Sequence, residues 1–419
     1  MEKVFDTMEN ILISAYGCEP DKGSEPGAGW NWAVEVAKRH KVTVLTRANN
    51  RCSIEKELQV NPRPNMSFIY YDLPESIKKY KKGQKGVQLY YALWQIGAYR
   101  YVKRLNQQHK FSMVFAVTFG TMWLPTLMYK LNVPFVWGPL GGGEGVPEVL
   151  WPQLTKKQAL IERVRKINKY ICLKNQMLHY ACKNASAFIL SKCSMMIETG
   201  VSQEQCDALE QLPKKVGKDF VVSGRLVGLK LVDVAIRAMA EVVKVHPEAS
   251  LRIVGGGECE SALKRLTQQL SLEQNVVFTG MLKKEQSIQK IKNAAALVVT
   301  SGREGGTWVL YEAMMCKTPI ICMDTSGMHI LVEDDGGIKL PVADYNTMVK
   351  KFAESMLWVL EHPEQAAEMG ENGYKAVRSK WTWENIGEMR EQLKELGLSE
   401  DQVEELETIP YAKLAEAYL

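Results

Sequence analysis

A chain of 419 residues is too long for one ordinary hydrophobic core, so two domains of roughly 150 to 200 residues each are expected. With 46% hydrophobic and 24% charged residues and a mean hydropathy of -0.20, the composition excludes the disordered and membrane-spanning classes. The net charge of +5 conceals an asymmetry: residues 1–200 carry 28 Lys and Arg against 15 Asp and Glu (+13), residues 201–419 carry 25 against 33 (-8), so one basic lobe is expected to meet a polyanion.

In chain order, "MEKVFDTMEN" lacks the basic segment and apolar run of a secretory signal, and nine cysteines without a CxxC pair predict reduced thiols in a cytoplasm. The runs "NILISAYG", "VTVLT", "FIYYDL", "VFAVTF", "FVWGPL" and "AFILS" alternate with helix-like stretches, which predicts a parallel sheet. The 19 charge-free residues Phe111 to Tyr129 approach the length of a membrane span. Thr118, Gly120, Thr121 and Pro125 interrupt them, and they read as strand, turn and helix.

A glycine loop, Gly23 to Gly29, follows the first run and opens a helix at "WNWAVEVAKR"; it lacks GxGxxG spacing, which argues against a dinucleotide site. "KKYKKGQK" places five lysines, Lys78, Lys79, Lys81, Lys82 and Lys85, in eight residues. In the helical stretch after it Leu89, Leu93, Trp94, Gly97 and Tyr101 can share a face. A polybasic segment gains about 1 kcal/mol per lysine at an anionic leaflet, so peripheral membrane contact is predicted here. A second basic run, "KKQALIERVRKINKYICLK", is helix-compatible and could extend that surface, although an ordinary amphipathic helix packed on the sheet is the better reading.

Near residue 200 the pattern breaks in a polar segment with Gly200, Pro213 and Gly217, and restarts with "DFVVSGRLV", "SLRIVGGG", "NVVFTGML", "ALVVTSG" and "TPIICMD". The predicted organisation is α/β, with Rossmann-like domains at 1–200 and 201–380 and helices at 381–419, the first of them crossing back to the N-terminal domain.

Ligands of open parallel sheets bind at the carboxyl ends of strands, where "ALVVTSGREGGTWVLYEAM" places the loop from Thr300 to Thr307. Glu304 faces the crevice there, Gly305 and Gly306 let backbone N–H groups approach a ligand, and Glu312 lies two helical turns on. Paired carboxylates suit the vicinal hydroxyls of a sugar or ribose. A diphosphate needs cations, and "SGRLVGLK" supplies Arg225 and Lys230 after the first strand of the second lobe.

With these residues the chain resembles the retaining nucleotide-sugar glycosyltransferases of glycosyltransferase family 4, which have the GT-B fold of two Rossmann-like domains facing a central cleft. The resemblance is carried by "GSEPGAGWNWA" (23–33), "VPFVWGPLGGGE" (133–144), "ETGV" (198–201), "SGRL" with Lys230, "FTG" (278–280), "EGGTWVLYEAM" (304–314) and "WTW" (381–383). It implies that Glu304 meets the hydroxyls of the transferred sugar, Glu312 the ribose, and Arg225 and Lys230 the diphosphate. Gly305, Gly306 and Thr307 would present backbone to the donor sugar, although many members have Gly where Thr307 stands. Gly23, Glu25, Gly27, Gly29 and Glu144 would belong to cleft loops on the acceptor side. Relatives commonly have Asp and His where Ser112 and Phe115 stand, so no histidine is given a catalytic role.

No DxD string occurs, so no metal and no cofactor is expected; Arg225, Lys230 and helix-end amides would stabilise the departing nucleotide diphosphate. The resemblance implies retention by same-face attack, a UDP- or GDP-sugar donor, and a lipid-linked or polysaccharide acceptor in cell-surface glycan synthesis. The alternatives are a non-catalytic GT-B scaffold at the membrane and a GT-B epimerase. No nucleic-acid recognition motif accompanies the basic charge, so no specific nucleic acid is expected.

Overall fold

The six apolar runs of the first half and the five of the second all form strands in the computed structural model, which describes residues 9–79, 86–120, 124, 126–140, 145–173, 187–190, 200–304 and 307–383. The strands are β1 (Asn10–Ala15), β2 (Lys41–Thr46), β3 (Met66–Tyr70), β4 (Met113–Thr118), β5 (Phe135–Leu140), β6 (Ala187–Leu190), β7 (Asp219–Ser223), β8 (Ser250–Val254), β9 (Val276–Gly280), β10 (Ala296–Val299), β11 (Ile320–Asp324) and β12 (Gly337–Pro341). β12, "GIKLP", went unread: it opens on Gly, closes on Pro, and pairs only with β11 at a sheet edge, where proline is tolerated.

Among the described residues the α-helices of six residues or more are α1 (Ser24–Ala37), α2 (Arg51–Val60), α3 (Val87–His109), α4 (Lys156–Leu173), α5 (Gln203–Gln211), α6 (Val232–Val245), α7 (Glu260–Gln269), α8 (Lys284–Lys292), α9 (Trp308–Met315), α10 (Ser326–Leu331), α11 (Tyr345–Glu361) and α12 (Pro363–Lys380). Among the described residues the strands form two six-stranded parallel sheets, ordered β3-β2-β1-β4-β5-β6 and β12-β11-β10-β7-β8-β9. Both are doubly wound, and strand order reverses between β1 and β4 in one and between β7 and β10 in the other. At such a reversal the flanking loops diverge and leave a crevice at the carboxyl edge.

The chain divides into two compact units, and the division is not a single cut at residue 200. Glu144–Ile167 belongs with Thr199–Asn385 in the second unit. The cause is local: Leu150 is fully buried, Glu162 pairs with Arg303 at 3.6 Å, and a side chain at Gly302 would meet Val146. Trp381–Trp383 joins the same unit, since Val201 N–H donates to the Trp381 carbonyl at 3.1 Å and Trp383 N–H to the Val201 carbonyl at 2.8 Å. The expected C-terminal crossing helix lies beyond residue 383, outside the described residues. Among the described residues no helix is long and apolar enough to cross a membrane.

Candidate active site

The crevice between β7 and β10 collects the second unit's chemistry. After β7 the chain turns at Gly224, whose φ of +147° favours glycine, and its N–H donates to the Val254 carbonyl at 2.9 Å. Leu226, fully buried, anchors the loop, and its N–H reaches the Gly256 carbonyl at 3.0 Å. The glycines of "IVGGGECE" are the bed for this loop: a Cβ at Gly255 would lie 1.9 Å from the Gly224 oxygen, and one at Gly257 2.4 Å from that of Leu226. Held this way, Arg225 projects exposed, and its guanidinium has no side-chain partner among the described residues.

Two hydrogen bonds join this loop to the one after β10. The Thr300 hydroxyl donates to the Lys230 carbonyl at 2.8 Å, and Gly302 N–H donates to the Leu229 carbonyl at 3.0 Å. Lys230 Nζ then forms a hydrogen-bonded ion pair with Glu304 Oε1, the two side chains being only 17% and 10% exposed. Gly224, Arg225, Lys230, Thr300, Ser301 and Glu304 line one concavity over a floor of Val222, Val232 and Val298. Three residues singled out by their chemistry, Arg225, Lys230 and Glu304, thus meet in one place.

Gly305 and Gly306 lie outside the described residues. Thr307 begins α9 with extended backbone, and its side chain makes no capping hydrogen bond. The buried indole N–H of Trp308 has no acceptor among the described residues, a feature that its apolar sequence context hid. Glu312 does not line the concavity. It sits within α9, where burial pushes its carboxyl up to about 7 against the opposing pull of Lys284 at the start of α8. Arg303 was quoted in the sequence motif without a role. It pairs with Glu162 on α4, whose other carboxylate oxygen accepts from Val146 N–H at 3.3 Å.

In the first unit the loops after β1 and β4 meet at the equivalent reversal. Glu25 Oε1 accepts from Gly120 N–H at 2.7 Å, and burial raises its carboxyl above the ordinary range while that bond pulls it back. Gly27 and Gly29 are spacers for packing: a Cβ would lie 1.8 Å from the Lys22 carbonyl oxygen and 2.1 Å from that of Gly17, respectively. Gly23 precedes α1 and is exposed; Glu144 lies outside the described residues. The ring of Phe115 is buried edge-on against Trp32 at 5.7 Å, so that position is filled by core.

Of the lysine run, Lys78 and Lys79 are described, and Lys81, Lys82 and Lys85 are not. Lys78 pairs with Glu75 at 2.8 Å and stands 3.8 Å from Asp72. The helical face expected behind it divides. Trp94 is fully buried and Gly97 packs under Tyr71, whereas Leu89 and Leu93 are exposed together with Ile96. Trp94 turns inward because Tyr16, Tyr71 and Tyr91 surround its ring.

Residues 207–376 match the family model described as glycosyl transferases group 1. A GDP-mannose-dependent monoacylated alpha-(1-6)-phosphatidylinositol monomannoside mannosyltransferase of Corynebacterium glutamicum is 33% identical over 173 residues, which are 40% of this chain and 44% of the relative. The chain therefore spans less than half of that relative's length. Among solved structures, sucrose-phosphate synthase from Thermosynechococcus elongatus matches with a TM-score of 0.59 at 20% identity, covering 94% of this chain and all of the other. Anabaena HepE in complex with UDP matches with 0.56 at 16% identity, covering 93% and 100%. The fold is GT-B.

Proposed function

We propose, from the match of residues 207–376 to the glycosyl transferases group 1 family model, that the protein moves a sugar from a UDP- or GDP-sugar to a lipid-linked or polysaccharide acceptor in cell-surface glycan synthesis, with retention and without a metal. The observation that carries this reading is the crevice where Arg225 and Lys230 from one loop face Glu304 from another. Such a place offers two cations to a diphosphate and a carboxylate to sugar hydroxyls.

In this reading Arg225 and Lys230 take up charge on the diphosphate as the glycosidic bond breaks. Glu304, released from Lys230 by the phosphate, accepts hydrogen bonds from the sugar, and ionised Glu312 accepts them from the ribose. The amides of Gly305, Gly306 and Thr307 complete the donor site. The leaving phosphate accepts the proton of the incoming hydroxyl on the same face. The relative's name specifies GDP-mannose and a phosphatidylinositol mannoside, which favours a GDP-sugar and a lipid-borne acceptor here. Glu25 and Glu144 are assigned to the acceptor side, and Lys78, Lys79, Lys81, Lys82 and Lys85 to an anionic membrane at the cytoplasmic face.

The test is isothermal titration of UDP, GDP, ADP and their sugar conjugates in EDTA, then with magnesium. Selective binding in EDTA that is weakened at least ten-fold in Arg225→Ala is the expected result. Binding that requires magnesium would overturn metal independence, and equal affinity in the Arg225 variant would overturn the site.

A further inference from the structure

The carboxyl edge of the first sheet gathers a second group of polar and aromatic side chains, apart from the crevice in the second unit. Tyr16 follows β1, Arg47 follows β2, Asp72 lies two residues beyond β3, and Phe119 follows β4. They converge on the Tyr16 ring: the Phe119 ring stands at 88° to it with centroids 5.8 Å apart, and the Arg47 guanidinium lies over it at 5.0 Å. Phe119 is partly exposed and is backed by the buried ring of Tyr91, stacked on it at 4.6 Å. Arg47 also lies over the Tyr90 ring at 5.2 Å, and 14% of its side chain stays open to solvent. One oxygen of Glu25 takes the Gly120 N–H, next along from Phe119; its other oxygen has no partner among the described residues.

Packing alone accounts for Tyr16, Tyr90 and Tyr91, which are buried. It does not account for an open carboxylate oxygen, an open guanidinium edge and an open aromatic ring around one point. The charges narrow the ligand. Asp72 already stands 3.7 Å from Arg47 Nε, so an anion would have to compete with Asp72 for the guanidinium and would approach Glu25 as well. A neutral polyol meets neither obstacle. An aromatic ring accepts the C–H face of a pyranose, a carboxylate accepts hydrogen bonds from its hydroxyls, and a guanidinium donates to them. We propose that Glu25, Arg47 and Phe119 form a subsite for a neutral pyranose, so that the acceptor presents a sugar to this protein and not a bare phosphate or a lipid chain. The inference rests on the transferase reading only in calling that sugar an acceptor; Arg47 and Phe119 have no role in that reading.

The measurement is saturation-transfer NMR of the full chain with the methyl α-D-pyranosides of mannose, glucose and galactose, each in large excess. Transfer to the ring protons of at least one of them is the expected result. Phe119→Leu keeps the bulk and removes the aromatic face, and should reduce transfer about five-fold, whereas Phe119→Trp should retain it. Arg47→Gln and Glu25→Gln should each reduce it about three-fold. Melting curves check that each variant folds, and any one that folds carries the test. No transfer to any pyranoside in wild type, or undiminished transfer in the folded variants, would overturn the proposal. So would transfer to glycerol 3-phosphate or to adenosine in place of the pyranosides, since the edge would then belong to a phosphate or a base. Titration with UDP, GDP and ADP separates the two readings: nucleotide bound without pyranoside sinks this subsite alone, and pyranoside bound without nucleotide sinks the transferase reading and leaves the subsite standing.

Discussion

The ion pair between Lys230 and Glu304 sets up a competition at the site: the lysine assigned to the diphosphate is already neutralised by the carboxylate assigned to the sugar. A diphosphate arriving at Lys230 must displace Glu304, which frees that carboxylate for hydroxyls. Glu304→Gln should therefore tighten binding of the bare nucleoside diphosphate about three- to five-fold, since roughly 1 kcal/mol of competing charge attraction is removed. The same change should reduce sugar transfer by at least 100-fold. Weaker diphosphate binding in that variant, measured by calorimetry, would show that Glu304 assists the phosphate site. Glu312 acts through pH. Its folded pKa of about 7 stands above the ordinary 4.5, so the fold holds the proton and that stabilisation is lost as pH rises from about 4.5 through 7. Donor affinity should move the opposite way and strengthen between pH 6 and 8, as the ionised carboxylate becomes available to the ribose. Thermal melts and titrations of wild type against Glu312→Gln isolate both trends, and parallel curves for the two proteins would remove Glu312 from the binding site. These residues were legible because charge type and spacing identified them. The salt bridge was not, since nothing in "SGRLVGLK" or "REGGTW" states that the two loops touch.

Loops carry the site because strand order reverses between β7 and β10, and a sequence shows strands long before it shows their order. The apolar runs made eleven strands legible, whereas β12 was hidden by its terminal Gly and Pro. Helix α4 was legible as a helix and misjudged in orientation, since Leu160, Ile161, Val164 and Ile167 stay exposed. Periodicity reveals that one face is apolar, not which face the fold covers. Its buried Glu162 holds Arg303 next to Glu304, which makes it a positioning residue for the loop after β10. Glu162→Gln keeps the shape and removes the charge. It should raise the Michaelis constant for the donor several-fold and cost about 1 to 3 kcal/mol of stability, the penalty for removing the buried carboxylate's charge from a partly buried guanidinium. Unaltered donor kinetics with lowered stability would reduce the pair to a structural contact. On the other loop, Gly257→Ala would press a methyl group on the Leu226 carbonyl. The displaced turn should weaken nucleotide binding through Arg225 with no change to Arg225 itself.

At the scale of the molecule, the chain order of residues and the grouping of the fold disagree in one segment. Residues 144–167 precede β6 of the first sheet, yet they pack with the unit that holds the crevice. The boundary at 200 was read from a shift in composition, which marks where a new sheet begins and cannot mark a helix lent by one half of the chain to the other. The +13 of residues 1–200 inherits this blur, because the basic face of α4 is carried by the second unit. The family match begins at residue 207 and leaves the segment out as well. A fragment of residues 200–385 would lack Leu150, Glu162 and Gln158, so Gly302 and Arg303 would lose their packing and their charge partner. It should melt several degrees below a fragment of residues 145–385, in keeping with a loss of about 1 to 3 kcal/mol from a unit of this size. It should also bind nucleotide more weakly, since both loops of the crevice lean on α4, the one after β7 through Gln158 against Gly228. Calorimetric melts of the two fragments, followed by titration with the preferred nucleotide, decide the matter. Equal melting temperatures and equal affinities would mean that the segment merely rests on the second unit, and the crevice would then be complete with residues 200–385 alone.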